Sequence, residues 1–127
     1  MITLGADGAP HAVRIGVTLV DGTLWSSGTQ GRVRTRHLRR DPRCTLFFWE
    51  AGYGYLSLET RVRILEGPDV PQQSVRLFQS MQAHLQNAPG TLMWNGQPIG
   101  IDAFRRTMVE EQRLIYEFDV QRSYGMI

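Results

Sequence analysis

The densest chemistry in the chain is cationic. Arg32, Arg34, Arg36, Arg39, Arg40 and Arg43 crowd one short stretch, opposed only by Asp41, and all 14 basic residues of the protein are arginine. Each is a planar fork suited to bidentate contact with phosphate or carboxylate. Ser26, Ser27, Gly28, Thr29, Gln30 and Gly31 run directly into this cluster. A strand ending in small polar residues, followed by a turn and a helix start, makes a phosphate seat. Free backbone N–H groups and the positive helix end face the anion, and arginine closes over it. Arg32 and Arg34 are the candidates for ligand contact. A helix cannot aim all six side chains at one ligand, so the others are read as surface charge. A solvated basic face or a nucleic-acid patch is the alternative reading of the same residues.

Other chemistry is thinner. Tyr53 and Tyr55, near Phe47, Phe48 and Trp49, can stack a planar ring. Ser26, Ser27, His37 and Asp41 include the residue types of a hydrolytic triad, but no nucleophile elbow is present. His11, His37 and His84 are scattered without ligand spacing, so no metal is expected. Glu110-Glu111 reads as a solvated helix end. The single cysteine, Cys44, excludes an internal disulfide and sits in an apolar run where it packs. The chain thus offers an anion grip and no self-sufficient catalytic group, which favours a coenzyme that brings its own chemistry.

The elements that must position these residues begin with a β meander. Met1 to Leu4 precede an Asp7-Gly8 turn, and Val13, Ile15, Val17 and Leu19 alternate with Ala12, Arg14, Gly16 and Thr18. That period of two predicts one half-buried strand. Asp21-Gly22 marks a hairpin, and Thr23 to Gly28 returns. Val33 to Arg40 reads as a short helix stopped by Asp41-Pro42. Cys44 to Glu50 and Tyr53 to Leu65 are strands around an Ala51-Gly52 turn. Pro71 to Leu85 reads as a helix opened by proline, Asn87 to Pro98 as a loop, Asp102 as the N-cap of a helix over Ala103 to Glu111, and Leu114 to Val120 as the closing strand. The pattern is mainly β with helices (α+β): a six-stranded antiparallel barrel.

Length and composition agree with one domain over residues 1–127. No apolar run is long enough to span a bilayer and no secretory leader is visible, so a cytoplasmic protein with no membrane association is expected. The net charge of +2 and the lack of a reading helix argue against nucleic acid as a partner.

Four segments together resemble one family. Arg32-Val-Arg-Thr-Arg-His-Leu-Arg-Arg-Asp-Pro-Arg43 is joined by Thr3-Leu-Gly-Ala-Asp-Gly-Ala-Pro-His11, by Gly54-Tyr-Leu-Ser-Leu-Glu59, and by Asp102-Ala-Phe-Arg-Arg-Thr-Met-Val109 with Ser123-Tyr-Gly125. In this order they are similar to the pyridoxamine 5′-phosphate oxidase-like split barrels, and most to the flavin/deazaflavin oxidoreductase branch of actinobacteria. The resemblance implies an FMN-binding type of split β-barrel, a homodimer, and coenzyme sites at the subunit interface. It implies that Arg32 and Arg34 hold the coenzyme phosphate, that the backbone of Val13, Ile15 and Val17 lines the ring system, and that Ser26, Ser27, Gly28 and Thr29 lie along the tail. It further implies the deazaflavin F-420 as coenzyme and hydride transfer to a planar unsaturated small molecule. The alternatives are an FMN-binding oxidoreductase or a non-catalytic coenzyme carrier. The chain lacks the C-terminal arginine-and-histidine motif of oxidases that act on pyridoxamine phosphate, which sets vitamin B6 chemistry aside. It has Thr60 where relatives often have glycine, and it opens almost at the Asp7-Gly8 turn, so the family's N-terminal helix is expected to be missing.

Overall fold

Alternating apolar residues and tight DG turns set up an antiparallel sheet. The computed structural model describes residues 1–126. In chain order they form β1 (Ile2–Leu4), β2 (Pro10–Ala12), β3 (Thr18–Val20), β4 (Thr23–Thr29), α1 (Val33–Arg40), β5 (Arg43–Trp49), β6 (Tyr55–Leu65), α2 (Val70–Met81), β7 (Thr91–Trp94), β8 (Gln97–Gly100), α3 (Ile101–Glu110) and β9 (Arg113–Met126). The main sheet runs β2-β1-β5-β6-β9-β4-β3. Its two edge strands, β2 and β3, are the ends of one extended run over residues 10–20. That run brings the edges together and closes the sheet into a barrel. Counted as one, it leaves the six strands that the pattern predicts.

The same run carries the main correction to the expected strands. Val13, Ile15 and Val17 stay half-buried and Ala12, Arg14 and Gly16 exposed, so the period of two is kept. Residues 13–17 nevertheless form no ladder, because the segment crosses from the β1 side of the barrel to the β4 side. Val13 exchanges backbone bonds with Met1 alone, and the Gly16 carbonyl accepts Ser26 Oγ at 2.7 Å instead of a strand N–H. A Cβ on Gly16 would stand 2.4 Å from Met81 Cε, so the run passes α2 closely here and any larger residue would displace the end of the Met81 side chain.

Smaller differences have local causes. Helix α2 ends at Met81 rather than Leu85. The Gln82 side chain beyond it donates to Met93 O and accepts from Met93 N, both at 2.8 Å, tying the helix end to β7. The expected 87–98 loop holds most of a β7–β8 hairpin turned by Asn95 and Gly96 at φ 51° and 79°. Gly100, not Asp102, caps α3; Asp102 lies in its first turn and pairs with Arg105 at 2.6 Å. Strand β9 runs past Val120 to Met126, and β6 starts at Tyr55, leaving Tyr53 in the turn. The sheet shifts register between Glu59 and Thr60, and the buried Thr60 hydroxyl donates to Cys44 O at 2.8 Å, so threonine serves at this bulge.

Three apolar clusters hold the parts together. Leu38, Cys44, Leu46, Leu58, Val62, Leu114, Tyr116 and Phe118 fill the barrel. Trp25, Leu77 and Ile115 seat α2 on the sheet, and Val75, Leu92, Phe104 and Met108 join α2, α3 and the β7–β8 hairpin.

Candidate functional site

Where the end of β4, the start of β9 and the first turns of α1 converge, the barrel leaves a cleft of about 310 Å³. Strand β4 can approach β9 here because Gly28 has no side chain; a Cβ would lie 2.4 Å from the Tyr116 ring. Below, Tyr116 donates its hydroxyl to Thr35 Oγ1 at 2.5 Å, and Thr35 Oγ1 donates to Thr29 O at 2.7 Å. This buried chain of two bonds pins α1 to the end of β4 and fixes the turn from which Arg34 projects. The cleft is lined by Arg14, Ile15 and Gly16 of the unpaired run, Ser26 and Ser27 of β4, Arg34 of α1, Phe78 and Met81 of α2, Trp94 of β7 and Arg113 of β9.

Its electrostatics are one-sided. Arg34 Nε and Trp94 Nε1 are both buried and find no acceptor. The Arg34 guanidinium lies 5.7 Å from the centroid of the Tyr116 ring, and that of Arg113 5.1 Å from Trp94. Arg113 pairs with Glu111 at 2.7 Å and reaches Ser27 Oγ at 3.4 Å. Among the described residues no carboxylate lines the cleft. Buried donors are normally satisfied, and of the four unpartnered buried polar atoms among the described residues two belong to residues that line this cleft, where acceptor oxygens would complement them.

The rest of the arginine-rich segment is spent elsewhere. Arg39 pairs with Glu66 at 2.9 Å and Arg43 with Asp41 at 2.7 Å. Hydrogen bonds from the Arg43 side chain and backbone hold the Asp41 carboxyl down at about 2. Arg40 donates to Leu4 O, tying α1 to β1. Arg36 is exposed.

The expected site residues therefore divide. Arg34, Ile15, Ser26 and Ser27 come together in the cleft. Ser26 is buried and its hydroxyl is taken by Gly16 O, while Ser27 is half-buried and its Oγ accepts from Arg113. Gly28 and Thr29 shape the cleft without lining it: the first admits Tyr116, and the second presents its carbonyl to Thr35 and to Arg32 N. Val13 and Val17 pack toward the barrel core, and the backbone between them is left without a strand partner. Arg32 is the exposed N-cap of α1 and does not line the cleft. Tyr53 is 89% exposed, and Tyr55 stacks on Phe47 at 5.5 Å; neither lines the cleft. Sequence reasoning missed Arg14, Trp94 and Arg113. Only Trp94 left a signal, as a lone aromatic in a polar loop beside Asn-Gly.

A second, more apolar groove of about 630 Å³ lies on the other side of the unpaired run, lined by Met1, Ile2, Ala12, Val13, Val17 and the Leu46–Trp49 end of β5, and shares Arg14 and Ile15 with the cleft. Cys44 is no nucleophile: burial pushes its thiol up to about 11. Among the described residues no group of three or more His, Cys, Asp or Glu side chains stands together to hold a metal, and no helix is long and apolar enough to cross a membrane.

Comparison with known proteins gives the same fold. The family described as "Pyridoxamine 5'-phosphate oxidase" matches residues 1–116. A conserved hypothetical protein from Mycobacterium tuberculosis superposes with a TM-score of 0.71 at 21% identity, over 98% of this chain and 72% of that one. An F-420 reductase gives 0.66 at 17% identity, over 97% and 85%. An FAD-binding protein from Mesorhizobium loti gives 0.58 at 17% identity, over 98% and 81%. At such identities the likeness is one of fold. A search of curated proteins finds no match.

Proposed function

This chain belongs to the pyridoxamine 5′-phosphate oxidase family, and on that premise we propose that it is an oxidoreductase built around a phosphorylated flavin-type coenzyme, F-420. The observation that carries this reading is the cleft with two buried, unpartnered donors, Arg34 Nε and Trp94 Nε1, and no facing carboxylate. The coenzyme's phosphate belongs there, held by Arg34 and Ser27. Its planar ring system belongs along residues 13–17, whose backbone groups, apart from the Val13 pairing with Met1 and the Gly16 carbonyl bonded by Ser26, have no ladder to satisfy them. When bound, the coenzyme supplies hydride to a planar unsaturated small molecule. The protein's own residues bind, orient and exclude water. The 630 Å³ groove beside the run, with Ile15, Val17, Leu46 and Phe48 on its walls, offers apolar room for the acceptor.

The arginine motif favours F-420, and the F-420 reductase among the similar structures supports it. A second reading, FMN in the same site, is supported by the FAD-binding structural relative. In either case we place two such sites in a homodimer, where the exposed Tyr53 and the half-buried Tyr55 of one copy are available to wall the ring site of the other.

Side-by-side titration of the purified protein with F-420 and FMN tests this. Saturable quenching of F-420 fluorescence, with FMN weaker, is expected. Tighter FMN binding replaces the first reading by the second, and binding of neither overturns both.

A further inference from the structure

The arginine-rich segment supplies only one wall of the cleft. The other wall comes from two residues that no motif marks, Trp94 at the end of β7 and Arg113 at the start of β9. Their positions are rigid. Trp94 packs edge-on against Phe78 at 5.3 Å and Phe104 at 5.6 Å, and Phe104 is fully buried. The Arg113 guanidinium lies over the indole while Glu111 holds its end. The indole is therefore held in place, and its N–H finds no protein acceptor. Its N–H is buried and unpaired, as is Arg34 Nε, and both residues line the cleft.

Burying a donor without an acceptor costs free energy, and packing it immobile forgoes any relief. Two such donors among the lining residues, with the Arg14 and Arg113 guanidiniums beside them, make the cleft rich in donors; the Ser26 hydroxyl is already engaged with Gly16 O. A cation would leave this set unsatisfied, and a neutral amide brings a single acceptor oxygen. A tetrahedral oxyanion, whose several acceptor oxygens point in different directions, satisfies it. Neutral indole adds direction without charge, which suits a phosphoryl group gripped from both sides.

We propose that Trp94 and Arg113 form the second half of a phosphoryl clamp, Trp94 Nε1 donating to one oxygen of the group whose other oxygens Arg34 holds. This deepens the coenzyme reading above by assigning the residues that close over its phosphate, and it makes the β7–β8 hairpin part of the binding site.

The test uses the whole protein and inorganic phosphate as probe. The Trp94 indole N–H resonance, identified by its loss in Trp94→Phe, should move saturably as phosphate is added. Trp94→Phe keeps an aromatic ring under Arg113 and removes only the donor. It should weaken phosphate binding roughly tenfold, the effect of one hydrogen bond to a charged acceptor, without lowering the thermal midpoint of the free protein. Arg113→Gln should weaken binding at least as much, and serves should Trp94→Phe fold poorly. An indole resonance that ignores phosphate, or undiminished phosphate affinity in the two variants, overturns the clamp. If F-420 or FMN binds wild type and Trp94→Phe equally, the clamp falls and the coenzyme reading stands. If neither coenzyme binds but phosphate still moves the indole resonance, the coenzyme reading falls and the clamp stands.

Discussion

Arg32 and Arg34 sit two positions apart on the same helix start and meet different fates. Arg32 is the N-cap, with extended backbone and an exposed side chain, whereas Arg34 turns inward over Tyr116 with its Nε buried. Replacing Arg34 by Gln should therefore weaken coenzyme binding by about 1.5–3 kcal/mol, the range for hydrogen bonds to charged groups. Arg32→Gln should leave it unchanged, and fluorescence titration of the two variants separates them. The sequence marks the cluster as an anion site but not which arginine faces in, because that depends on the residue at which the helix begins. Arg113 gave no local signal at all; it reaches the cleft only through the pairing of β9 with β4, which sets Thr29 opposite it. Gly28 makes the same point from the packing side. Its alanine variant would drive a Cβ to 2.4 Å from the buried Tyr116 ring. A cost of about 1–3 kcal/mol is expected for such overpacking, read as a lower denaturant midpoint at constant slope.

At the scale of elements, α1 matters as the lever that carries Arg34, and the β1–β2 hairpin holds its far end. His37 Nδ1 meets Thr3 Oγ1 at 2.9 Å, and the His37 ring stands edge-on to His11 at 5.2 Å. Desolvation, then the positive neighbours His11, Arg40 and Arg36, lower the His37 value from the ordinary 6.5, against the opposing pull of Asp7. Because the folded state prefers the neutral ring, the unfolded chain takes up its proton first as pH falls. Stability is complete above about 6.5 and declines as pH drops through the folded value. Denaturant midpoints measured from pH 7.5 to 5 should fall, and His37→Gln, which still bonds to Thr3, should flatten that slope. Most of these elements were readable from periodicity and turn residues. The break at residues 13–17 was not, since the alternation survives while the hydrogen bonds are lost to barrel geometry. The β7–β8 hairpin was hidden in a polar segment, although its Asn95-Gly96 pair is a hairpin turn in its own right.

For the whole molecule, the sheet's outer face is the feature still unaccounted for. Phe47 and Trp49 of β5 stack at 6.3 Å, Phe47 continues onto Tyr55 of β6, and the register sets Tyr124 and Met126 of β9 beside Ser57 and Tyr55. Trp49 is 70% and Tyr124 48% exposed. Beyond Phe118, strand β9 pairs with β6 alone among the described residues, so its other edge is open over the last eight residues of the strand, 119–126. An exposed aromatic patch beside an open strand edge is an association surface, and in a protein of one chain type the economical partner is a second copy using the same patch. The solution mass should be twice that of the chain. Tyr124→Asp places a charge in the patch, away from the barrel core, the Arg34 cleft and the groove that Trp49 lines, so it should give folded monomer by sedimentation with an unchanged thermal unfolding profile at low concentration. If ring walls are shared between copies, that monomer should still bind inorganic phosphate at Arg34 yet lose affinity for the whole coenzyme. A wild-type monomer, or a monomeric variant that keeps full coenzyme affinity, would show instead that each barrel holds its coenzyme alone.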